Sequence, residues 1–187
     1  MHPLIARYLN APALIEVLEK ADQAVALSPD EAAMAAAATA HPSSKAAVLK
    51  SKGRETLSND AQQHMLRIIV DAALRRVSAD HELGPKVRAA TAALTKEGAS
   101  EEEAHHLLLQ AVLDEAFGWA EDPTSFDARF LGETLDGLVA LAAVTSDSVD
   151  DCMEAFAKAG GENRALRYTV AEALMESAWG EGPEPVT

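Results

Sequence analysis

The residues best suited to chemistry lie one helical turn apart near the middle of the chain. Glu103 and His106 are separated by Ala104 and His105. A carboxylate and an imidazole at this spacing share one side of an α-helix, and di-metal helical bundles bind their ions with such pairs. The pair therefore suggests a divalent metal site. Bundles of that kind need a second pair on another helix and further carboxylates, and outside residues 102–106 the sequence contains no second copy.

Three other residues could add ligands to this pair: Asp71, His105 and Glu115. Each also has a simpler explanation. Asp71 stands four residues after Arg67, so the two side chains could form a local ion pair. His105 could be a partly buried, hydrogen-bonded histidine, and the pair itself could belong to a narrow solvated stripe. An isolated pair at helical spacing is a weak motif, so both interpretations remain open.

The stretch from Glu97 to Trp119 that carries the pair has the pattern of a long helix. Ser100 and Glu103 have the spacing of a capping box, and residues 101–103 place three acids in the first turn, where the helix dipole favours negative charge. At 100° per residue, the apolar side chains cover most of the helix circumference. We expect this helix to be buried by neighbours on several sides.

Two short motifs precede the segment that carries the pair. In chain order the three segments are Ile68-Ile-Val-Asp71, Leu94-Thr-Lys-Glu-Gly98 and Glu103-Ala-His-His106. With these motifs, residues 59–119 resemble a small helical domain of uncharacterised bacterial proteins that carries an E-A-x-H motif. The resemblance covers about a third of the chain and implies a helical fold.

The chain departs from that family pattern in its first motif. The pattern has two histidines, H-x-x-x-H, but Arg67 stands where the second would fall and His64 is out of register for the first. If the pattern binds a metal, the resemblance implies that this chain retains Asp71, Glu103 and His106 and lacks the other ligands.

A second candidate site lies where the same helix ends. No lysine or arginine occurs between Lys96 and Arg129, so the exposed edge of this region is negative. Aromatic and acidic residues cluster there. They are Phe117, Trp119, Glu121 and Phe126. Aromatic side chains supply much of the binding energy at protein interfaces, so the cluster suggests a partner-binding surface.

Charge limits the choice of partner. The 187 residues carry a formal net charge of -14. Nucleic acids and anionic membranes are bound mainly by lysine and arginine, so this composition argues against both. A basic protein or a cation is electrostatically permitted.

Several common enzyme classes and locations are disfavoured by the motif content. Cys152 is the single cysteine, which excludes an internal disulfide framework and a multi-cysteine zinc site. The sequence has no Gly-x-Ser-x-Gly elbow, Walker loop, dinucleotide fingerprint, EF-hand loop or His-Glu-x-x-His helix. It shows neither a signal-peptide pattern nor an apolar run of the roughly 20 residues that span a bilayer. We therefore expect a cytoplasmic protein. The missing motifs argue against the commonest enzyme classes, though not against every one.

The fold class follows from helical periodicity and the absence of strand-like alternation. We expect an all-α, compact bundle of about eight mostly antiparallel helices, with a short helix-pair solenoid as the alternative. Ser28-Pro29 should start a helix that ends near Ala40, and Ser58 or Asn59 should cap another that runs to about Val77. The helix that starts at Pro12 should end near Leu27.

These elements should form one helical domain over residues 1–179. Residues 42–56, here called the basic segment, could be a mobile loop that contacts an acidic partner, a solvated loop or a weak helix. Residues 180–187 should be a disordered tail.

Two functional hypotheses follow, and a small-ligand pocket among the alanine-rich helices is a third possibility to which no particular residue points. The first is a non-enzymatic cytoplasmic protein that acts by protein–protein interaction or self-association, without a cofactor. The second is a metal-binding helical bundle that uses Glu103, His106 and Asp71.

Overall fold

Helices account for most of the residues that the structure describes. The computed structural model describes residues 3–52, 58–96, 99–118, 126 and 128–142. In chain order, the helices in these ranges are α1 (Pro3–Tyr8), α2 (Ala11–Asp22), α3 (Pro29–Ala40), α4 (Pro42–Lys50), α5 (Asn59–Ser78), α6 (Leu83–Lys96), α7 (Glu101–Gly118) and α8 (Ala128–Ala142). The described ranges contain no strand, so the predicted all-α class is confirmed for them.

The chain divides into two units by its internal contacts. The first unit comprises Met1–Gly84 and Glu115–Asp127, and the second comprises Pro85–Asp114 and Ala128–Thr187. The expectation of a single domain over residues 1–179 stays a prediction. The expected tail at residues 180–187 lies outside the described residues.

Helix α5 is the centre of the first unit. It packs against α1, α3 and α4, and α2 packs against the same three helices. Its buried side chains are Ala61, Met65, Ile68, Ile69, Val70, Asp71, Ala72, Ala73, Leu74 and Val77. The Ser58 hydroxyl caps this helix by accepting a hydrogen bond from the Ala61 N–H at 3.3 Å. A cap and burial on several sides explain why α5 forms as the sequence predicts.

Helix α3 begins with the predicted start signal. The Ser28 hydroxyl accepts from the Glu31 N–H at 3.3 Å, and the Glu31 carboxylate accepts from the Ser28 N–H at 2.8 Å. This reciprocal capping box satisfies two backbone donors that the helix leaves unpaired, and Pro29 supplies a helical φ. The helix ends at Ala40, as predicted.

Helix α2 ends five residues earlier than the sequence predicts, because the chain turns at Ala24. The Val25 N–H donates to the Lys20 carbonyl at 3.0 Å, and the Ala24 N–H donates to the Ala21 carbonyl at 3.1 Å. These are the two hydrogen bonds of a Schellman motif. Ala24 has a φ of 53°, the left-handed conformation that glycine normally supplies. The prediction that α2 ends near Leu27 was wrong, because the sequence has no glycine at this position to indicate the end of the helix.

The first part of the basic segment forms α4. Two lysines of the basic segment contact acids of α2 in the same unit. Lys45 Nζ lies 2.6 Å from Asp22 Oδ1, and Lys52 Nζ pairs with Glu19. The positive charges of these two lysines are thus already paired within the chain, which weakens the interpretation that they serve an acidic partner.

The second unit buries one side of each of its helices. In α8 the buried apolar residues are Leu131, Leu135 and Leu138, which recur at helical spacing. In α7 the buried stripe consists of Ala104, Leu108, Ala111 and Val112. The neighbouring α7 leucines at 107 and 109 are only half-buried. Lys86 of α6 forms an ion pair with Asp136 of α8.

None of the helices in the described part of the chain is long and apolar enough to cross a membrane.

Candidate functional site

A cleft of about 300 Å³ opens on the first unit at the C-terminal end of α5. Its lining combines three charged side chains with four apolar ones. These residues are Leu4, Asp30, Arg76, Val77, Asp80, Leu83 and Phe126. Volumes of this size are at the lower end of those that bind small ligands or single side chains.

Asp80 is held in the cleft by the turn between α5 and α6. Its Oδ1 atom accepts from the Glu82 N–H at 2.8 Å and from the Leu83 N–H at 2.9 Å. Asp80 therefore satisfies backbone donors at the start of α6, where aspartate is a preferred residue. The same contacts fix the position of its carboxylate.

Asp30 and Arg76 connect α3 to α5 across the cleft. Asp30 lies in the first turn of α3, and its Oδ1 atom is 2.9 Å from Arg76 Nε. The two side chains are 35% and 39% exposed, so they remain accessible from solvent. An ion pair at this exposure contributes little to stability, because water screens both charges.

The cleft carries a net negative charge at neutral pH. Hydrogen bonds from the Leu83 and Glu82 amides lower the pKa of Asp80, with smaller contributions from the nearby His81 and Arg76 charges. Asp80 is thus ionised at physiological pH. With Asp30 and Arg76, it gives two negative charges and one positive charge.

Four apolar side chains form the other walls of the cleft. Leu4, Val77 and Leu83 are buried, and Phe126 is half-buried. A cleft with charged groups on one side and apolar groups on the other can hold an amphipathic side chain, whose stem is apolar and whose tip is charged.

The predicted metal ligand Asp71 lies in a different cluster of the first unit. Its side chain is fully buried in α5, and its Oδ2 atom is 3.2 Å from two nitrogens of Arg75 and 3.3 Å from His41 Nε2. The prediction of an ion pair with Arg67 was therefore wrong. An Asp–Arg pair at i,i+4 is favourably oriented, because helical side chains lean towards the N-terminus and Arg75 reaches back.

The other two predicted ligands, Glu103 and His106, are in α7 of the second unit. His106 is exposed and His105 is half-buried. The side chains of Glu103 and Glu115 lie outside the described residues. Among the described residues, no group of three or more His, Cys, Asp or Glu side chains is arranged to hold a metal ion. The metal site therefore stays a prediction.

A serine, a histidine and an aspartate also come together at the start of α5. Ser44 Oγ is 3.0 Å from His64 Nδ1, and His64 Nε2 is 3.6 Å from Asp60 Oδ1. The set has the composition of a nucleophilic triad, but Ser44 is only 1% exposed and Asp60 is 80% exposed. A nucleophile must reach its substrate, so this arrangement is a structural hydrogen bond between α4 and α5.

The predicted partner-binding cluster is placed only in part. Phe126 lines the cleft. Trp119, Glu121 and the side chain of Phe117 lie outside the described residues. Asp30, Arg76 and Asp80 were not predicted as site residues. The one signal in the sequence was the i,i+4 spacing of Arg76 and Asp80, which is too common to indicate a site.

Comparison with known proteins gives no relative: no family model, no curated protein and no solved structure matches this chain.

Proposed function

We propose that this chain is a non-enzymatic cytoplasmic protein that binds a protein partner through the cleft at the end of α5. The observation that carries the proposal is the composition of that cleft. It places the accessible carboxylates of Asp30 and Asp80 beside an apolar wall that includes Phe126. Interfaces concentrate their binding energy where an anchor side chain fills such a pocket.

The charge of the whole chain supports a basic partner. A net charge of -14 raises the local concentration of positively charged proteins and repels acidic ones. In the described residues, Leu9 and Val25 are the exposed large hydrophobic side chains, and isolated groups of this kind are normal on a soluble surface. The cleft is therefore the better candidate for an interface in this part of the chain.

Site-specific photo-crosslinking tests this proposal. A photoreactive residue replaces the exposed Ala79 beside the cleft, and in a matched control it replaces the exposed Gln63, about 24 Å away along the helix axis. In lysate of the source cells, we expect a defined crosslinked band from position 79 that is absent from position 63. The same band should weaken when Asp80→Asn is added. Equal labelling from both positions, or no band from position 79, would contradict the proposal.

A further inference from the structure

The acceptor atoms of the cleft determine which cation it can recognise. Asp80 has two carboxylate oxygens, and Oδ1 is already occupied by two backbone N–H groups. Its Oδ2 atom lies 3.8 Å from Nδ1 of the exposed His81, which is beyond hydrogen-bond distance. One oxygen of Asp80 remains for a ligand.

Among the described residues, Asp30 also has one carboxylate oxygen with a partner and one without. Its Oδ1 atom faces Arg76 Nε at 2.9 Å. Its Oδ2 atom has no ion pair or hydrogen bond within the described part of the chain. The cleft therefore offers one unoccupied acceptor oxygen from each of two carboxylates. The other oxygen of Asp80 is filled by two backbone donors, and the other oxygen of Asp30 is shared with Arg76.

This arrangement favours an ammonium group over a guanidinium group. A lysine ammonium is a compact charge with three donors, which can reach single oxygens on two separate carboxylates. An arginine guanidinium binds best as a planar fork to both oxygens of one carboxylate. On Asp80 one oxygen is already filled by two backbone donors. On Asp30 a second guanidinium fork would share Oδ1 with Arg76 and place two like charges side by side, so neither carboxylate favours a second fork.

The apolar wall matches the rest of a lysine side chain. Leu4, Val77, Leu83 and Phe126 can contact a four-carbon stem while the ammonium points to the acids. The volume of about 300 Å³ is large enough to hold one such side chain.

We infer that the protein partner inserts a lysine side chain into this cleft, with its ammonium between Asp30 and Asp80, and that the cleft selects lysine over arginine. This inference rests on the proposed function, because it names the anchor residue of the proposed partner.

An NMR titration of the full-length, ¹⁵N-labelled chain tests the selectivity. The probes are the N-acetyl, methylamide derivatives of lysine, arginine and norleucine. We expect the lysine probe to shift the amide signals of Glu82 and Leu83 in a saturable way. Its dissociation constant should be at least about threefold lower than that of the arginine probe, because its donors fit the separate acceptors. Norleucine has the stem without the charge and should cause no saturable shift.

Two variants separate this mechanism from general attraction to an acidic chain. Asp80→Asn keeps the oxygen that starts α6 but removes the charge, so lysine binding should be lost while the fold is retained. Arg76→Gln frees both oxygens of Asp30, so the arginine probe should then bind at least as tightly as lysine. Arg67→Gln makes the same charge change at an exposed site about 13 Å away on α5 and should leave the selectivity unchanged.

The outcomes distinguish the two proposals. If arginine binds the unmodified chain as tightly as lysine, or if no probe binds while position 79 still gives a specific crosslink, the lysine inference is overturned and the proposed function stands. If the lysine probe binds with the predicted selectivity but position 79 gives no crosslink, the chemistry of the cleft is supported and the proposed protein partner is not.

Discussion

At the scale of single residues, the clearest energetic feature is the buried carboxylate of Asp71. It is completely inaccessible, whereas its partners His41 and Arg75 are 19% and 40% exposed. A buried charge is tolerated only where nearby groups compensate for its lost hydration. Asp71 therefore joins the junction between α3 and α4 to the central helix.

We expect Asp71→Ala to lower the free energy of unfolding by about 2–3 kcal/mol, because it removes the buried carboxylate that Arg75 and His41 contact. Urea denaturation followed by circular dichroism measures the change. Arg67→Ala is the control, because Arg67 is exposed one turn away on the same helix and should change stability by less than about 0.5 kcal/mol. Equal effects of the two variants would mean that the buried contacts contribute nothing specific.

The pair of Glu103 and His106 gives a second prediction at this scale. Two ligands are fewer than the four that a stable zinc site uses, so we expect untagged protein to contain less than about one equivalent of metal. Elemental analysis of the purified chain measures the content. One or two equivalents of metal that disappear in His106→Ala would instead support the metal-binding hypothesis.

At the scale of elements, the ends of helices show what the sequence could and could not predict. The predicted starts of α3 and α5 were correct because the signal for each is local. In both helices a serine hydroxyl accepts a hydrogen bond from the backbone N–H three residues later. The end of α2 was missed because alanine has no preference for a left-handed turn. The site was mostly missed for a different reason. Asp30, Arg76 and Asp80 meet only after folding, and each has a local explanation in sequence.

At the Ala24 turn, substitution by glycine should raise the stability of the fold, whereas glycine usually lowers it elsewhere in helices. We expect Ala24→Gly to stabilise the chain by up to about 1 kcal/mol, since glycine adopts a positive φ without the steric cost of a Cβ atom. Thermal and urea unfolding measure the effect. Ala36→Gly, at an exposed position inside α3, should instead destabilise by about 1 kcal/mol. Destabilisation by both variants would argue against the Schellman turn.

The capping box of α3 should make stability depend on pH. Hydrogen bonds from Ser28 and then from Lys20 lower the pKa of Glu31 from 4.5 to about 2. Because the pKa is lower in the folded chain, the charged form stabilises the fold. Its contribution is complete above pH 4.5 and is lost as the pH falls towards 2.

We therefore expect Glu31→Gln to unfold more easily than the unmodified chain at pH 7, with a difference that closes between pH 4.5 and about 2. Urea denaturation at several pH values measures this. Glu16→Gln is the matched control, because Glu16 also pairs with Lys20, at 2.8 Å, but caps no helix. A difference that persists unchanged at pH 2 would show that the charge of Glu31 is not responsible.

At the scale of the whole molecule, the net charge affects which associations are electrostatically favourable. Two copies that each carry -14 repel one another, and this repulsion acts over a Debye length of about 30 Å in about 10 mM salt. The same field attracts a basic partner, so the charge that favours the proposed interaction opposes self-association. The sequence alone left self-association and binding of a different protein both open. Composition gives the net charge but not the surface through which the chain binds.

Sedimentation equilibrium at two salt concentrations separates these modes. We expect a mass near 19.8 kDa in about 10 mM salt and the same mass in about 1 M salt, where the Debye length is only about 3 Å. A monomer under both conditions would mean that repulsion does not hide a self-association surface, which leaves a different protein as the partner. A dimer that appears only at high salt would mean that a second copy competes for that role, and the crosslink from position 79 should then join two identical chains.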